Sequence, residues 1–253
     1  MTDKIKVGIE GPGAIGKRLA EAVSVQPDMT LVGISGFDTK DIAKLTYAKY
    51  PTYATIDQGT DRSAIMKAAG IEVLGTLEDL ARQADVVVDA TLKGLPETKF
   101  DIYRSNGAKI IVEGGESHGV TGHSSSAFAN YEATLGVDQT RVVSCNTTGL
   151  SRTLSTLDRN YGIQHVNVSL IRRANDPSKG ADGATDVVIP VLGGSHHYED
   201  VESVMPHLED TGYSQAVAVP TTHSHVHTLS VQLQGEPTAQ DIADLFSNTP
   251  RYR

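Results

Sequence analysis

Lys4-Ile5-Lys6-Val7-Gly8-Ile9-Glu10-Gly11-Pro12-Gly13-Ala14-Ile15-Gly16-Lys17-Arg18-Leu19-Ala20-Glu21-Ala22-Val23 begins three residues after the initiating methionine and decides the fold. Lys4–Glu10 reads as a strand, and Lys17–Val23 places its apolar residues at helical spacing. Between them stands the pattern G-x-G-x-x-G. In that position Gly11 makes the tight turn, Gly13 lets the backbone approach a pyrophosphate, and Gly16 permits close packing of helix on strand. Phosphates would rest on the N-terminus of the helix. The competing reading is a purely structural turn. Met29-Thr30-Leu31-Val32-Gly33-Ile34 supplies a second strand at the distance expected for dinucleotide binding.

Downstream, strands and helices keep alternating. Gly70–Leu74 reads as a short strand, and Thr76–Arg82 as a helix capped by Thr76 with Glu78 and Asp79 in its first turn. Ala84–Ala90 and Lys109–Glu113 are apolar runs of the kind buried on both faces of a parallel sheet. Pro96–Asn106 and Ser124–Leu135 read as helices, and Arg141–Ser144 as the last strand. Gly114 and Gly115 follow Glu113, where a bare backbone can pass close to a ligand. This alternation predicts a Rossmann-type doubly wound parallel sheet with ligands at the carboxyl ends of its strands. Gly11, Gly114 and Cys145 all follow strands, which links the cysteine to the nucleotide.

Cofactor choice turns on the end of the second strand. An acid there binds the ribose 2′-hydroxyl of NAD, and small or basic residues admit the 2′-phosphate of NADP. Ser35-Gly36-Phe37 precede the first acid, Asp38, and Lys40 and Lys44 lie nearby. The pattern leans toward NADP or dual use, with a return of Asp38 to the ribose as the other reading.

The only cysteine, Cys145, lies in Ser144-Cys145-Asn146-Thr147-Thr148-Gly149-Leu150, between that last strand and a helix expected over Thr147–Asn160. A strand-to-helix junction favours the nucleophilic thiolate, because the helix N-terminus presents partnerless N–H groups. A buried, inert thiol is the alternative. Beyond it the segments His165–Arg173, Ser214–Val219 and Thr222–Gln234 alternate as in an antiparallel sheet with one covered face. The expected division is therefore a nucleotide-binding domain over 1–144 and an α+β domain, with a largely antiparallel sheet, over 145–253. Ala174–Thr185 is expected to be a loop, and a final helix is expected through Phe246, ending before Pro250.

Three polar groups mark the second part. Arg172 and Arg173, adjacent on a strand, face opposite sides, so one can meet a phosphate while the other forms a salt bridge. Ser195-His196-His197 follows two glycines and offers donors for an oxyanion, or is simply exposed. His223, His225 and His227 share one strand face with Leu229, Val231 and Leu233. An inward histidine suits a general base for Cys145; three also suit a zinc site; polar histidines at a strand end are the plain alternative.

Composition narrows the classes. Hydrophobic residues make up 39% of 253, charged residues 21%, and the net charge is −9. That balance argues for a globular chain and against general affinity for nucleic acid or an anionic membrane. A lone cysteine forbids an internal disulfide and suits a cytoplasmic location. The chain passes straight into a strand, so no secretory leader is expected.

Together these motifs resemble the archaeal type (type II) of glyceraldehyde-3-phosphate dehydrogenase. The resemblance rests on the cysteine run and Gly11-x-Gly13-x-Ile15-Gly16-Lys17-Arg18. It extends to Glu113-Gly114-Gly115-Glu116, Ala129-Asn130-Tyr131-Glu132, Arg172-Arg173-Ala174-x-Asp176-Pro177, Ser195-His196-His197 and Pro220-Thr221-Thr222-x-x-His225-x-His227. It implies oxidation of glyceraldehyde 3-phosphate with NADP or NAD and inorganic phosphate through a Cys145 thioester, with His225 as base. It places Ser144, Asn146 and Thr147 beside the substrate, and Arg172, His196 and His197 at phosphate groups. Gly11, Gly13, Ala14, Ile15, Gly16, Gly115 and Arg173 would hold the cofactor, and no metal is implied. It further implies a homotetramer, and a C-terminal segment beyond the point where this sequence stops. Three other readings stand beside it: another thioester-forming dehydrogenase, a zinc hydrolase built on the three histidines, and a non-catalytic nucleotide-binding remnant.

Overall fold

The computed structural model describes residues 3–36, 49–57, 60–113, 115–175 and 185–252. The chain forms two compact units, one made of Met1–Ser124 with Thr134–Val142, the other of Ser125–Ala133 with Val143–Arg253.

The first unit is built on β1 (Ile5–Glu10), α1 (Ala14–Ser24), β2 (Met29–Gly36), β3 (Thr52–Ala54), a ribbon of β4 (Ile56–Asp57) and β5 (Thr60–Asp61), and α2 (Ser63–Ala68). It continues through α3 (Leu77–Gln83), β6 (Val86–Asp89), a 3-10 turn at Pro96–Lys99 leading into α4 (Phe100–Ser105), β7 (Lys109–Val112), α5 (His118–Thr121) and β8 (Ser124–Ser125). The chain then passes through α6 (Tyr131–Thr134), most of which belongs to the second unit, and β9 (Gln139–Val142) completes a seven-stranded sheet in the order β3-β2-β1-β6-β7-β9-β8. β1 lies parallel to β2 and β6, β2 to β3, and β7 to β6 and β9. The strand order reverses between β1 and β6, which is where a doubly wound sheet opens a crevice for ligands.

Sequence dictates much of this locally. Thr76 caps α3 in a reciprocal box with Asp79, and burial of Leu77 and Leu80 anchors that helix on the sheet. Each fully buried leucine contributes about 1.5–3 kcal/mol. Three expected elements differ. Gly70–Leu74 is not a strand: Gly70 takes φ +77° after α2, and the segment meets β3 through isolated bonds such as Leu74 N–H to Thr52 O at 2.9 Å. Pro96 starts a 3-10 turn before the α-helical residues. Ser124–Leu135 is not one helix, because Ser124–Ser125 joins the sheet edge and the Asn130 side chain accepts the Ser126 N–H at 2.9 Å. Such side-chain bonds compete with helical pairing.

In the second unit, α7 (Cys145–Tyr161) is followed by β10 (Ile163–Arg173), β11 (Ile189–Pro190), α8 (His197–Glu202), a 3-10 turn at Pro206–Leu208, β12 (Gly212–Val219), β13 (Val226–Leu233) and α9 (Ala239–Asn248). Leu150, Leu154 and Leu157 of α7 pack with Val166, Val168 and Leu170 of β10, and with Tyr198 and Val201 of α8, in the main core. The four-stranded sheet runs β11-β12-β10-β13. β10 is antiparallel to β13, and β11 to β12, but β10 and β12 are parallel. The expected antiparallel pairing fails there because α8 lies in the connection, and parallel neighbours need such a crossover.

Candidate active site

In the first unit the glycine loop joins β1 to α1. Gly11 has φ +91°, and its N–H donates to Ser35 O at 2.9 Å. A Cβ on Gly16 would stand 2.0 Å from Gly11 O, whereas one on Gly13 would meet nothing within 4 Å. Gly16 is therefore demanded by packing, and Gly13 leaves its surface open at the helix N-cap, with Ala14 and Ile15 next in α1. This is the cradle a pyrophosphate requires. Gly115 takes φ +83° and is equally uncrowded.

Beneath the loop, a buried charged cluster ties strand ends together. Lys99 Nζ donates to Glu10 Oε1 at 2.8 Å and lies 3.7 Å from Asp89 Oδ2. Thr55 Oγ1 donates to Glu10 at 2.6 Å, Ser35 Oγ donates to its other oxygen, and Tyr103 OH donates to Asp89 at 2.8 Å. The hydroxyl of Ser35 is thus directed under the loop. At the end of β7, burial pushes Glu113 up to about 7. Gly114, Asp38, Lys40, Lys44, Asp176 and Pro177 lie outside the described residues.

In the second unit, Ser144 is the N-cap of α7, and its Oγ accepts the Thr147 N–H at 3.2 Å. Helical geometry begins two residues earlier than the periodicity predicts, so Cys145 occupies the first helical position. Its side chain is exposed. Asn146 and Thr147 are buried.

A chain of polar contacts runs from Asn146. His227 Nε2 lies 2.9 Å from Asn146 Oδ1, and His197 Nε2 lies 3.3 Å from Asn146 Nδ2. His197 Nδ1 is hydrogen-bonded in turn to Ser195 Oγ. Gly149 makes room for the imidazole, since a Cβ there would meet His227 Cε1 at 3.3 Å. Burial, then the nearby His196, Arg172, His227 and His225, pull His197 down to about 3. Burial also lowers His227. Both rings are therefore neutral at physiological pH.

The three histidines of the 223–227 run do not share a strand face. Ser224 has φ +65°, which breaks the alternation, and β13 begins only at Val226. His223 bonds Thr222 at 2.7 Å, His225 Nδ1 accepts the Arg173 N–H at 3.2 Å, and His227 faces Asn146. Among the described residues, no three His, Cys, Asp or Glu side chains gather as a metal site. Arg172 lies close enough to act on His197, and its Nε is buried without a hydrogen-bond partner among the described residues. His196 is largely exposed, 3.7 Å from Asp200. The sequence offers Ser195 as an oxyanion donor and His227 as one of three inward histidines, but it does not disclose the contacts of His227 with Asn146 or of Ser195 with His197. Among the described residues, no helix is long and apolar enough to cross a membrane.

Residues 144–253 match the family model "Glyceraldehyde 3-phosphate dehydrogenase, C-terminal domain", and residues 5–147 match "Dihydrodipicolinate reductase, N-terminus". Glyceraldehyde-3-phosphate dehydrogenase 2 of Methanosarcina barkeri is 41% identical over 256 residues, covering 99% of this chain and 73% of its own length. The glyceraldehyde-3-phosphate dehydrogenase of Methanococcoides burtonii is 41% identical over 258 residues, with 99% and 74% covered. That of Methanothermus fervidus is 40% identical over 248 residues, with 97% and 72% covered. A crystal structure of aspartate semialdehyde dehydrogenase II from Vibrio cholerae, complexed with ASA, superposes with a TM-score of 0.73 at 13% identity. It covers 98% of this chain and 80% of that one, a likeness of fold. With the doubly wound sheet, the capped cysteine helix and identities near two-fifths over nearly every residue, the chain belongs to the glyceraldehyde-3-phosphate dehydrogenase family.

Proposed function

We propose that the chain is a cytoplasmic, homo-oligomeric, phosphorylating glyceraldehyde-3-phosphate dehydrogenase that uses NADP or NAD. The observation that carries this is an exposed Cys145 at the first position of α7, in a unit that also gathers Arg172, His196 and His225 around His197. Cys145 Sγ adds to the aldehyde carbon of glyceraldehyde 3-phosphate, giving a hemithioacetal. Its oxidation to the thioester releases a proton from the former aldehyde oxygen, which His225 takes. The nicotinamide, when bound, is the hydride acceptor. A phosphate oxygen then attacks the thioester carbon, 1,3-bisphosphoglycerate leaves, and the Cys145 thiolate is regenerated. Arg172 and His196 suit the phosphate groups, since a guanidinium whose Nε has no partner among the described residues is matched to such oxygens. Ser144, Asn146 and Thr147 flank the reacting carbon.

Gly11, Gly13, Ala14, Ile15, Gly16 and Gly115 are the residues to hold the dinucleotide. The open Gly13 surface at the α1 N-cap fits that group. The lone pair of His225 on Nδ1 is engaged by the Arg173 N–H, so the base must let go of that bond to accept a proton there.

The test is reduction of NAD and NADP with glyceraldehyde 3-phosphate, with and without inorganic phosphate, in wild type and Cys145→Ser. Phosphate-dependent turnover abolished in the variant is expected; surviving turnover in Cys145→Ser refutes the mechanism. For His225→Asn a large fall in kcat with KM kept is expected, and an unchanged kcat removes His225 from the base role.

A further inference from the structure

His197 is buried with both ring nitrogens engaged, one on Ser195 and one on Asn146, so in this geometry neither is left for a ligand. His227 reaches the other end of the same amide. Asn146 directly follows the nucleophile, in the first turn of α7. A side-chain amide offers one donor group and one acceptor oxygen. Two histidines that point their Nε2 atoms at opposite ends of one amide must therefore differ, one presenting N–H and the other a bare lone pair.

We infer that His197 and His227 are positioning residues that act through Asn146, holding its amide in a single orientation by adopting opposite states at Nε2. This rests on the reading of Cys145 as nucleophile, because the turn so held is the one that presents the thiol. With Oδ1 of Asn146 facing His227 and Nδ2 facing His197, the amide oxygen can only accept and the amide nitrogen only donate, so His227 Nε2–H donates to Oδ1 and the amide donates to His197 Nε2. The Nδ1–H of His197 then donates to Ser195 Oγ. Reversal of the amide requires both rings to change together, and Ser195 to become the donor. No arrangement accommodates two Nε2–H groups, so the two rings cannot both be protonated while the chain of contacts is intact. Burial, which holds both rings neutral, works in the same direction. Among the described residues, the other charged or titratable groups acting on His197 are His196, Arg172 and His225.

The experiment is histidine nitrogen NMR on the full chain labelled in its imidazoles, recorded between about pH 5 and pH 8, the range in which an ordinary histidine titrates. In wild type, His227 is expected to carry its proton on Nε2 and His197 on Nδ1, with His197 not titrating in that range and His227 titrating below the ordinary histidine value. In Asn146→Asp, whose carboxylate accepts at both oxygens, both Nε2 atoms are expected to be protonated and both rings to titrate at higher pH. Two Nε2–H groups in wild type, or tautomers unmoved in Asn146→Asp, overturn the inference. Kinetics supply the second arm. His227→Leu is expected to lower kcat by about 10- to 100-fold with a small change in KM, the cost of a misplaced reacting group. His227→Gln, which can still donate to Asn146, is expected to recover part of that loss; equal losses in the two variants overturn the positioning role. The spectra do not depend on turnover. Should Cys145→Ser keep its activity while the tautomers are as expected, the functional reading fails and the histidine pairing stands.

Discussion

His227 Nε2 and Asn146 Oδ1 meet at 2.9 Å across 81 positions of sequence, joining the second residue of β13 to the second residue of α7. On the other side of the same amide stands His197, and all three belong to the unit that carries Cys145. The contact makes the first turn of the cysteine helix a tertiary object, held from strand β13 and from the start of α8 as well as by its own cap.

Acid should weaken this unit. The folded-state value of His197, about 3, lies below its ordinary 6.5. The unfolded chain therefore binds the proton more readily, and stability falls as pH drops below about 6.5, continuing until His197 itself protonates near 3. The expected loss is on the order of 1–3 kcal/mol at mildly acid pH. Urea unfolding of wild type and His197→Gln across that range checks it; identical pH slopes in the two proteins would refute the assignment.

Glu113 should act in the opposite sense. Burial lifts it from 4.5 to about 7, so the folded state holds its proton where the unfolded chain has lost it. Stability contributed by the neutral carboxyl is fully present below about 4.5 and is lost as pH rises through about 7. Glu113→Gln should therefore stabilise the protein by about 1–3 kcal/mol at pH 8 and change little at pH 4. Equal effects at both pH values would sink the prediction.

Lys99→Met should be severe. The ammonium is buried between Glu10 and Asp89, and removing it leaves two carboxylates out of water without a cation. Breaking a buried pair in this way costs about 3–5 kcal/mol. The double variant Lys99→Met/Glu10→Gln should regain much of the loss, because one stranded charge is gone. Thermal denaturation of the three proteins decides it, and a mild Lys99→Met variant would contradict the cluster's role.

Two glycines of one loop should answer differently to the same substitution. Gly16→Ala forces a Cβ to 2.0 Å from Gly11 O, so the loop or the helix must shift and stability should drop measurably. Gly13→Ala meets nothing within 4 Å, so stability should stay within about 0.5 kcal/mol, as at an unconstrained site. Its effect should appear instead as weaker NADH or NADPH binding in a fluorescence titration. Unchanged binding in a well-folded Gly13→Ala protein would argue against a pyrophosphate on this turn.

The chain alone determined the parts that rest on short-range physics. Gly11, Gly13 and Gly16 announce their turn because backbone sterics act within a few residues. The buried runs Val86–Asp89 and Lys109–Val112 reveal a parallel sheet because both faces must be apolar. The cap of α3 at Thr76 and the strand-to-helix junction at Ser144 are equally local. Tertiary structure alone decided the rest. The pairing of β10 with β12 depends on where α8 crosses, and the break at Ser224 depends on a left-handed residue that alternation does not disclose. The partners of Asn146 lie 51 and 81 positions away, and Lys99 reaches Glu10 across 89. Such contacts are settled by how elements pack, since a buried polar group must find its partner wherever the fold delivers one.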